Sequence, residues 1–201
     1  YSSPNAPSKF EVLGTWLLSM LAGHPRYAHV MAIRCDGINP GLLGMRKILS
    51  EDALLNALKR IPEAEGVAWL DGLLRASVAP LLDVPWILEV DTTIKPLYGH
   101  QEGAVISYNP RKPGRPSHSY HTYLMAGTRL VLGVEVRAGN EHTAKHTQPG
   151  LLQALDDLPL EKKPKLVRGD SAFGNDPLMT ALEARRQPYL FKLKLSKNVK
   201  R

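Results

Sequence analysis

The spacing of apolar positions changes character near Pro85. Upstream it is helical. Trp16, Leu17, Met20 and Leu21 fall on one face of a short helix that runs into a turn at Gly23-His24-Pro25. Ser50-Glu51-Asp52 supplies a cap residue followed by acids, which suit the positive end of a helix dipole. Leu54, Leu55, Leu58 and Ile61 continue at helical spacing until Pro62. Val67, Leu70, Leu74 and Val78 predict a further helix over 67–78, stopping before Pro80.

Downstream the period shortens. Trp86 to Asp91 is a short, mostly apolar run that predicts a buried strand ending on a carboxylate. Residues 109–117 are too rich in proline and glycine for regular structure and predict a basic loop. Two strand-like runs follow, His118 to Ala126 and Arg129 to Arg137, joined by a turn at Gly127-Thr128. Thr147 to Leu158 predicts a helix with Pro149 in its first turn. Lys165 to Asp170 predicts a second short strand ending on Asp, then a helix over Asp176 to Arg186 and a strand over Tyr189 to Leu195. The expected organisation is a helical region over 1–84 and, over 85–201, an α/β domain with one mixed sheet and flanking helices.

Composition narrows the partners. There are 26 Lys plus Arg against 19 Asp plus Glu, a net charge of +7, which favours a polyanionic partner such as nucleic acid, though an anionic membrane surface would serve equally well. The single cysteine, Cys35, excludes an internal disulfide framework and is expected to be a small buried hydrophobe. The apolar stretch Trp16 to Ala22 falls far short of the ~20 residues that span a bilayer, so no membrane partner is expected.

Asp91 and Asp170 stand out because each ends a short hydrophobic strand. A strand end lets a side chain leave the core while its backbone stays rigid. If the two strands are neighbours, the carboxylates converge and favour a shared divalent cation, the arrangement used for in-line phosphoryl displacement. The competing reading is local, with Asp91 capping Thr93 and Asp170 capping the next helix.

The run Ile87-Leu88-Glu89-Val90-Asp91-Thr92-Thr93-Ile94-Lys95-Pro96-Leu97-Tyr98-Gly99-His100-Gln101-Glu102-Gly103-Ala104 resembles the first catalytic block of bacterial insertion-sequence transposases with a DDE domain. Tyr108 to His118 resembles the loop of the same group, and Arg168-Gly169-Asp170-Ser171-Ala172-Phe173-Gly174-Asn175 resembles its second block. Gly23 to Tyr27 and Leu43 to Lys47 are also similar to that group. The resemblance implies a ribonuclease H-like fold, with Asp91 and Asp170 as the first two members of an Asp-Asp-Glu triad. It implies Mg²⁺ or Mn²⁺ in a two-metal site, double-stranded DNA at transposon ends as partner, a homodimer in the full-length protein, and a cytoplasmic, nucleoid-associated location. It places the third member on a late helix beyond the strand near Leu195, so the two-metal site is expected to be incomplete over these residues and the chain alone inactive. Glu183, the Glu that follows Asp170, comes too early for that role.

Arg111, Lys112 and Arg115 put positive charge beside the first catalytic strand, to contact DNA phosphates or to lie in solvent. Arg26, Arg34, Arg46 and Lys47 are candidates for the same task. His142 and His146 have a spacing at which imidazoles share zinc, but no third ligand is near, and they are expected to be polar residues of a helix start. His118 and His121 sit in a strand of which at most one face is buried, and His100 and Glu102 lie in the loop after Asp91. The alternatives to a transposase are a nuclease on the same fold and a DNA-binding remnant without catalysis.

Overall fold

A computed structural model of the protein describes residues 5–109, 112–128 and 130–193. The chain divides into two compact units, Tyr1–Trp69 and Leu70–Arg201. The first holds α1 (Lys9–Leu21), α2 (Val30–Ile33), α3 (Asn39–Leu42) and α4 (Glu51–Leu58); α5 (Glu63–Val78) begins in the first and ends in the second.

α1 starts on a reciprocal cap. The Ser8 hydroxyl accepts from Glu11 N at 3.1 Å and the Glu11 carboxylate accepts from Ser8 N at 2.9 Å. The predicted apolar face is corrected here: Leu17, Met20 and Leu21 are exposed, and the buried residues are Glu11, Val12, Gly14, Thr15 and Ser19. The reason is that this face finds polar partners far along the chain. Arg46 donates to both Glu11 oxygens, at 2.9 and 3.3 Å, which holds the carboxyl below its usual range. Thr15 Oγ1 accepts from Leu49 N at 3.1 Å. Around them Val12, Val30, Met45, Ile48, Leu49, Leu54 and Ala57 form the first core.

Ser50 caps α4 as its sequence predicts, accepting from Ala53 N at 3.3 Å. The helix stops at Leu58, so Ile61 lies outside it and is exposed. α5 begins four residues before the predicted start, and of its predicted face Val67 and Leu70 are exposed while Val78 is buried. Cys35 is exposed rather than buried, because it falls in the turn after α2, where Asp36 N bonds back to the Ile33 carbonyl at 3.1 Å.

The second unit contains β1 (Ile87–Pro96), β2 (Val105–Ile106), β3 (Pro116–Met125), β4 (Leu130–Ala138), α6 (Ala144–Asp156), β5 (Leu166–Gly169), α7 (Asp176–Ala184) and β6 (Tyr189–Phe191). β3 pairs antiparallel with β1 on one edge and with β4 and β2 on the other. β5 pairs parallel with β1, and β6 parallel with β5. The result is a six-stranded mixed sheet with flanking helices, the ribonuclease H-like layout expected from the sequence.

Three details depart from the sequence reading. β1 continues past Asp91 to Pro96, because its antiparallel pairing with β3 runs on to Pro96↔Ser117. β2 is a two-residue strand with no periodic signal of its own. α6 begins at Ala144, so Pro149 lies inside it rather than in its first turn, where its missing N–H leaves the carbonyl four residues earlier without a helix donor. Of the predicted last strand, Lys194 and Leu195 lie outside the described residues.

Among the described residues, helices cover one face of the sheet and leave the other open. Leu88, Val90, Tyr123, Met125 and Val167 point to the covered side, against Leu151 and Leu155 of α6 and Leu178 and Leu182 of α7. Each such buried aliphatic side chain contributes roughly 1.5–3 kcal/mol. β3 alternates strictly, with Ser117, Ser119, His121, Tyr123 and Met125 buried.

His121 is fully buried on that face within a polar cluster. Its Nε2–H donates to the Glu141 carbonyl at 2.7 Å, and its Nδ1 accepts from the Thr147 hydroxyl of α6. Thr92 of β1 adds a contact to Thr147 at 3.2 Å, so one imidazole ties β1, β3 and α6 together. Burial pushes the imidazole below its usual value, with the Glu141 carbonyl opposing in part.

The sign follows directly. Above the unfolded-state pKa of ~6.5 both states are neutral; below it the unfolded chain takes a proton that the folded chain resists, so stability falls with pH. Urea midpoints measured from pH 7.5 down to 5.5 are expected to drop in the wild type and to change less in His121→Gln. Equal slopes in the two proteins would contradict the assignment.

Candidate active site

The geometry starts from one pairing. β1 and β5 run parallel with Glu89 opposite Arg168 and Val90 opposite Gly169. One step further come Asp91, still within β1, and Asp170, the first residue after β5, so the register brings the two backbones to adjacent positions about one strand spacing, roughly 4.8 Å, apart. Leu88, Val90 and Val167 are buried, so alternation puts Glu89, Asp91 and Arg168 on the opposite side. Arg168 Nη2 reaches Glu89 Oε1 at 2.8 Å on that side, which anchors the register immediately before the two aspartates. Both aspartates are exposed.

Each carboxylate is oriented by one local bond. Thr93 Oγ1 donates to Asp91 Oδ2 at 3.3 Å, and Ala172 N donates to Asp170 Oδ1 at 2.8 Å. The local reading of the sequence is thus half realised: Asp91 does engage Thr93, but the cap of α7 is Asn175, which accepts from Leu178 N at 3.2 Å. An ionised carboxylate has about four acceptor sites, so a single donor leaves each aspartate with capacity to spare.

The Gly-Asp-Ser-Ala-Phe-Gly turn is built by packing. Phe173 folds back under the end of β5 and is almost wholly buried. A Cβ on Gly169 would lie 2.8 Å from the Phe173 ring, and one on Gly174 would lie 2.7 Å from the Lys192 carbonyl oxygen. Only glycine at these positions lets the turn close down and hold Asp170 at the strand end.

The other sequence candidates fall elsewhere. Arg111 lies outside the described residues. Lys112 N donates to Asn109 Oδ1 at 3.2 Å in the exposed loop. Arg115 stacks over the Tyr98 ring at 4.4 Å. Tyr98 lies just past the end of β1 at Pro96, so Arg115 belongs to the far end of that strand rather than to the position of Asp91. Arg46 is engaged with Glu11. Glu183 accepts the Tyr189 hydroxyl at 2.7 Å. His142 Nδ1 donates to the Gly139 carbonyl at 3.0 Å, and His118 Nε2 donates to the Glu102 carbonyl at 2.9 Å. Among the described residues no group of three or more His, Cys, Asp or Glu side chains is placed to hold a metal ion.

Sequence reasoning missed the Glu89–Arg168 pair and the His121 cluster. The first had a signal, since both residues occupy the position two before an aspartate. The second had none, because Thr147 and Glu141 come from other elements.

Residues 83–201 match the family described as the transposase DDE domain, and the chain belongs to it. No curated protein matches the sequence. Among solved structures the chain is similar to the piggyBac transposase synaptic complex with hairpin DNA, at 13% identity and a TM-score of 0.50, over 96% of this chain and 43% of that one. It also aligns with the Mos1 strand transfer complex at 12% identity and a TM-score of 0.38, over 99% of this chain and 63% of that one. For the Mos1 mariner paired-end complex with Mn the values are 13% and 0.37, over 99% and 64%. The chain therefore spans less than two thirds of these transposases. Among the described residues no helix is long and apolar enough to cross a membrane.

Replacing Gly169 by Ala is expected to cost roughly 1–3 kcal/mol, the usual range for overpacking beside a rigid ring. Denaturant unfolding of Gly169→Ala checks this, and an unchanged midpoint would mean that the turn does not rely on the close approach.

Proposed function

We propose that this chain carries part of the catalytic apparatus of a DNA transposase, an enzyme that cuts and joins DNA at the ends of an insertion sequence. The observation that supports the reading is the β1–β5 register, whose last pair, Val90 with Gly169, immediately precedes Asp91 and Asp170. Membership of the transposase DDE domain family supports it, and the similar piggyBac transposase structure is a complex with hairpin DNA. The excess of positive charge suits a polyanionic substrate.

Asp91 and Asp170 fit Mg²⁺ or Mn²⁺. These ions take hard oxygen donors, and Mg²⁺ in particular is often held by one or two carboxylates together with substrate phosphate. Bound there, such an ion supplies activation of water or a DNA 3′-hydroxyl and stabilisation of the departing oxygen in displacement at a phosphodiester. The chain's own residues do the positioning. Thr93 and the Ala172 amide orient the two carboxylates, and the Glu89–Arg168 pair holds the strands that carry them. The basic loop with Arg111, Lys112 and Arg115 contacts DNA phosphates away from the cleaved bond, setting position without reading sequence. The helical region over 1–84 precedes the catalytic domain, the full-length protein acts as a dimer on paired DNA ends, and it works in the bacterial cytoplasm.

A second reading, a DNA-binding remnant without catalysis, is favoured by one observation: no third carboxylate joins the two aspartates among the described residues. The two readings separate experimentally. In the full-length protein, Asp91→Asn and Asp170→Asn are each expected to lower metal-dependent DNA cleavage by at least about a hundredfold while leaving DNA affinity within about twofold. Loss of binding in step with cleavage would count against the metal-ligand assignment, and a wild type that binds DNA without cutting it would favour the remnant.

A further inference from the structure

The open face of the sheet carries a second feature that the aspartates do not account for. Asp91, Thr93 and Lys95 alternate along β1 on the exposed side, next to Thr122, Tyr120 and His118 of β3, their partners in register. Lys95 Nζ lies over the Tyr120 ring, 5.3 Å from its centroid, and among the described residues no carboxylate stands within ion-pair distance of it. Beyond it, at the end of the same ribbon, Arg115 lies over the exposed Tyr98 ring. Lys95 thus rests on an aromatic ring on the same side as Asp91, whereas the Arg115–Tyr98 pair lies past the end of β1. In the opposite direction along β1 the charge is already spent, because Glu89 and Arg168 neutralise each other.

We propose that Lys95 is a positioning residue for the strand being cut. The DNA backbone runs from Asp91 along β1 over the open face, Lys95 takes one of its phosphates, and the Tyr120 ring holds the ammonium upright between contacts. Lys95 lies four residues from Asp91, about 14 Å along an extended strand, so the phosphate it takes lies a few nucleotides from the one at Asp91. Glu102 and His100 in the loop after β1 flank this path. Glu102 is exposed, and its backbone carbonyl accepts from His118, the register partner of Lys95, which holds the loop next to the strip. The inference rests on the proposed role of Asp91, yet its test does not involve the metal.

The test uses the chain with a fluorescent 20-base-pair duplex of arbitrary sequence, titrated between 50 and 300 mM NaCl. Each phosphate contact contributes about 0.9 to the slope of log K against log salt. Lys95→Gln is therefore expected to reduce the slope by about one and to weaken binding roughly eightfold at 0.1 M salt, while Lys95→Arg retains both. The thermal midpoint of Lys95→Gln should match the wild type, which separates a phosphate contact from a structural one. Ultraviolet crosslinking of the same duplex carrying bromodeoxyuridine should label the peptide containing Tyr120. An unchanged slope in Lys95→Gln, a wild type that shows no salt-dependent binding, or crosslinks confined to residues before 70 would overturn the proposal. A normal Lys95 result combined with fully active Asp91→Asn would sink the metal site and leave the strip standing.

Discussion

Everything functional in this molecule depends on the parallel pairing of β1 with β5. Strand pairing has a side-chain period of two, so a slip of one residue turns every side chain to the other face. In the observed register Val90 faces Gly169, which buries Leu88, Val90 and Val167 and leaves Glu89, Asp91 and Arg168 outside. A one-residue slip of β5 against β1 would lose the Glu89–Arg168 pair. The apolar core and the ion pair favour the same register, and that agreement holds two like charges side by side.

The end of β5 is held in place through backbone. Gly169 lets Phe173 close beneath the strand, and the turn that results presents the Ala172 amide to Asp170. Behind Asp91, on the covered face, Thr92 joins the cluster centred on His121 and Thr147, tying β1 to α6 through polar groups rather than packing alone. The carboxylates are exposed, but the strands beneath them are fixed on both sides.

Much of this was legible in the sequence because each candidate aspartate follows a short apolar run, Ile87 to Val90 and Leu166 to Gly169. Alternation and turn residues found β1, β3, β4, β5 and α7 within a few residues. Where the reading failed, the cause was a partner distant in sequence. α1 buries Glu11, Thr15 and Ser19 rather than Leu17 and Met20 because Arg46 and the Leu49 amide satisfy them. His121 is a core residue only because Glu141 and Thr147 fold over it. β1 outlasts Asp91 because β3 pairs with it for five more residues, and that extension carries Lys95 on the same side as the aspartate. No local pattern shows such long-range pairing.

The central claim is that Asp91 and Asp170 face a common point on the open side of the sheet. Crystals soaked in Mn²⁺ and recorded at the manganese edge test it most directly. The account predicts an anomalous peak within coordination distance of both carboxylates. A peak bound elsewhere, or side chains pointing to opposite faces of the sheet, would contradict it.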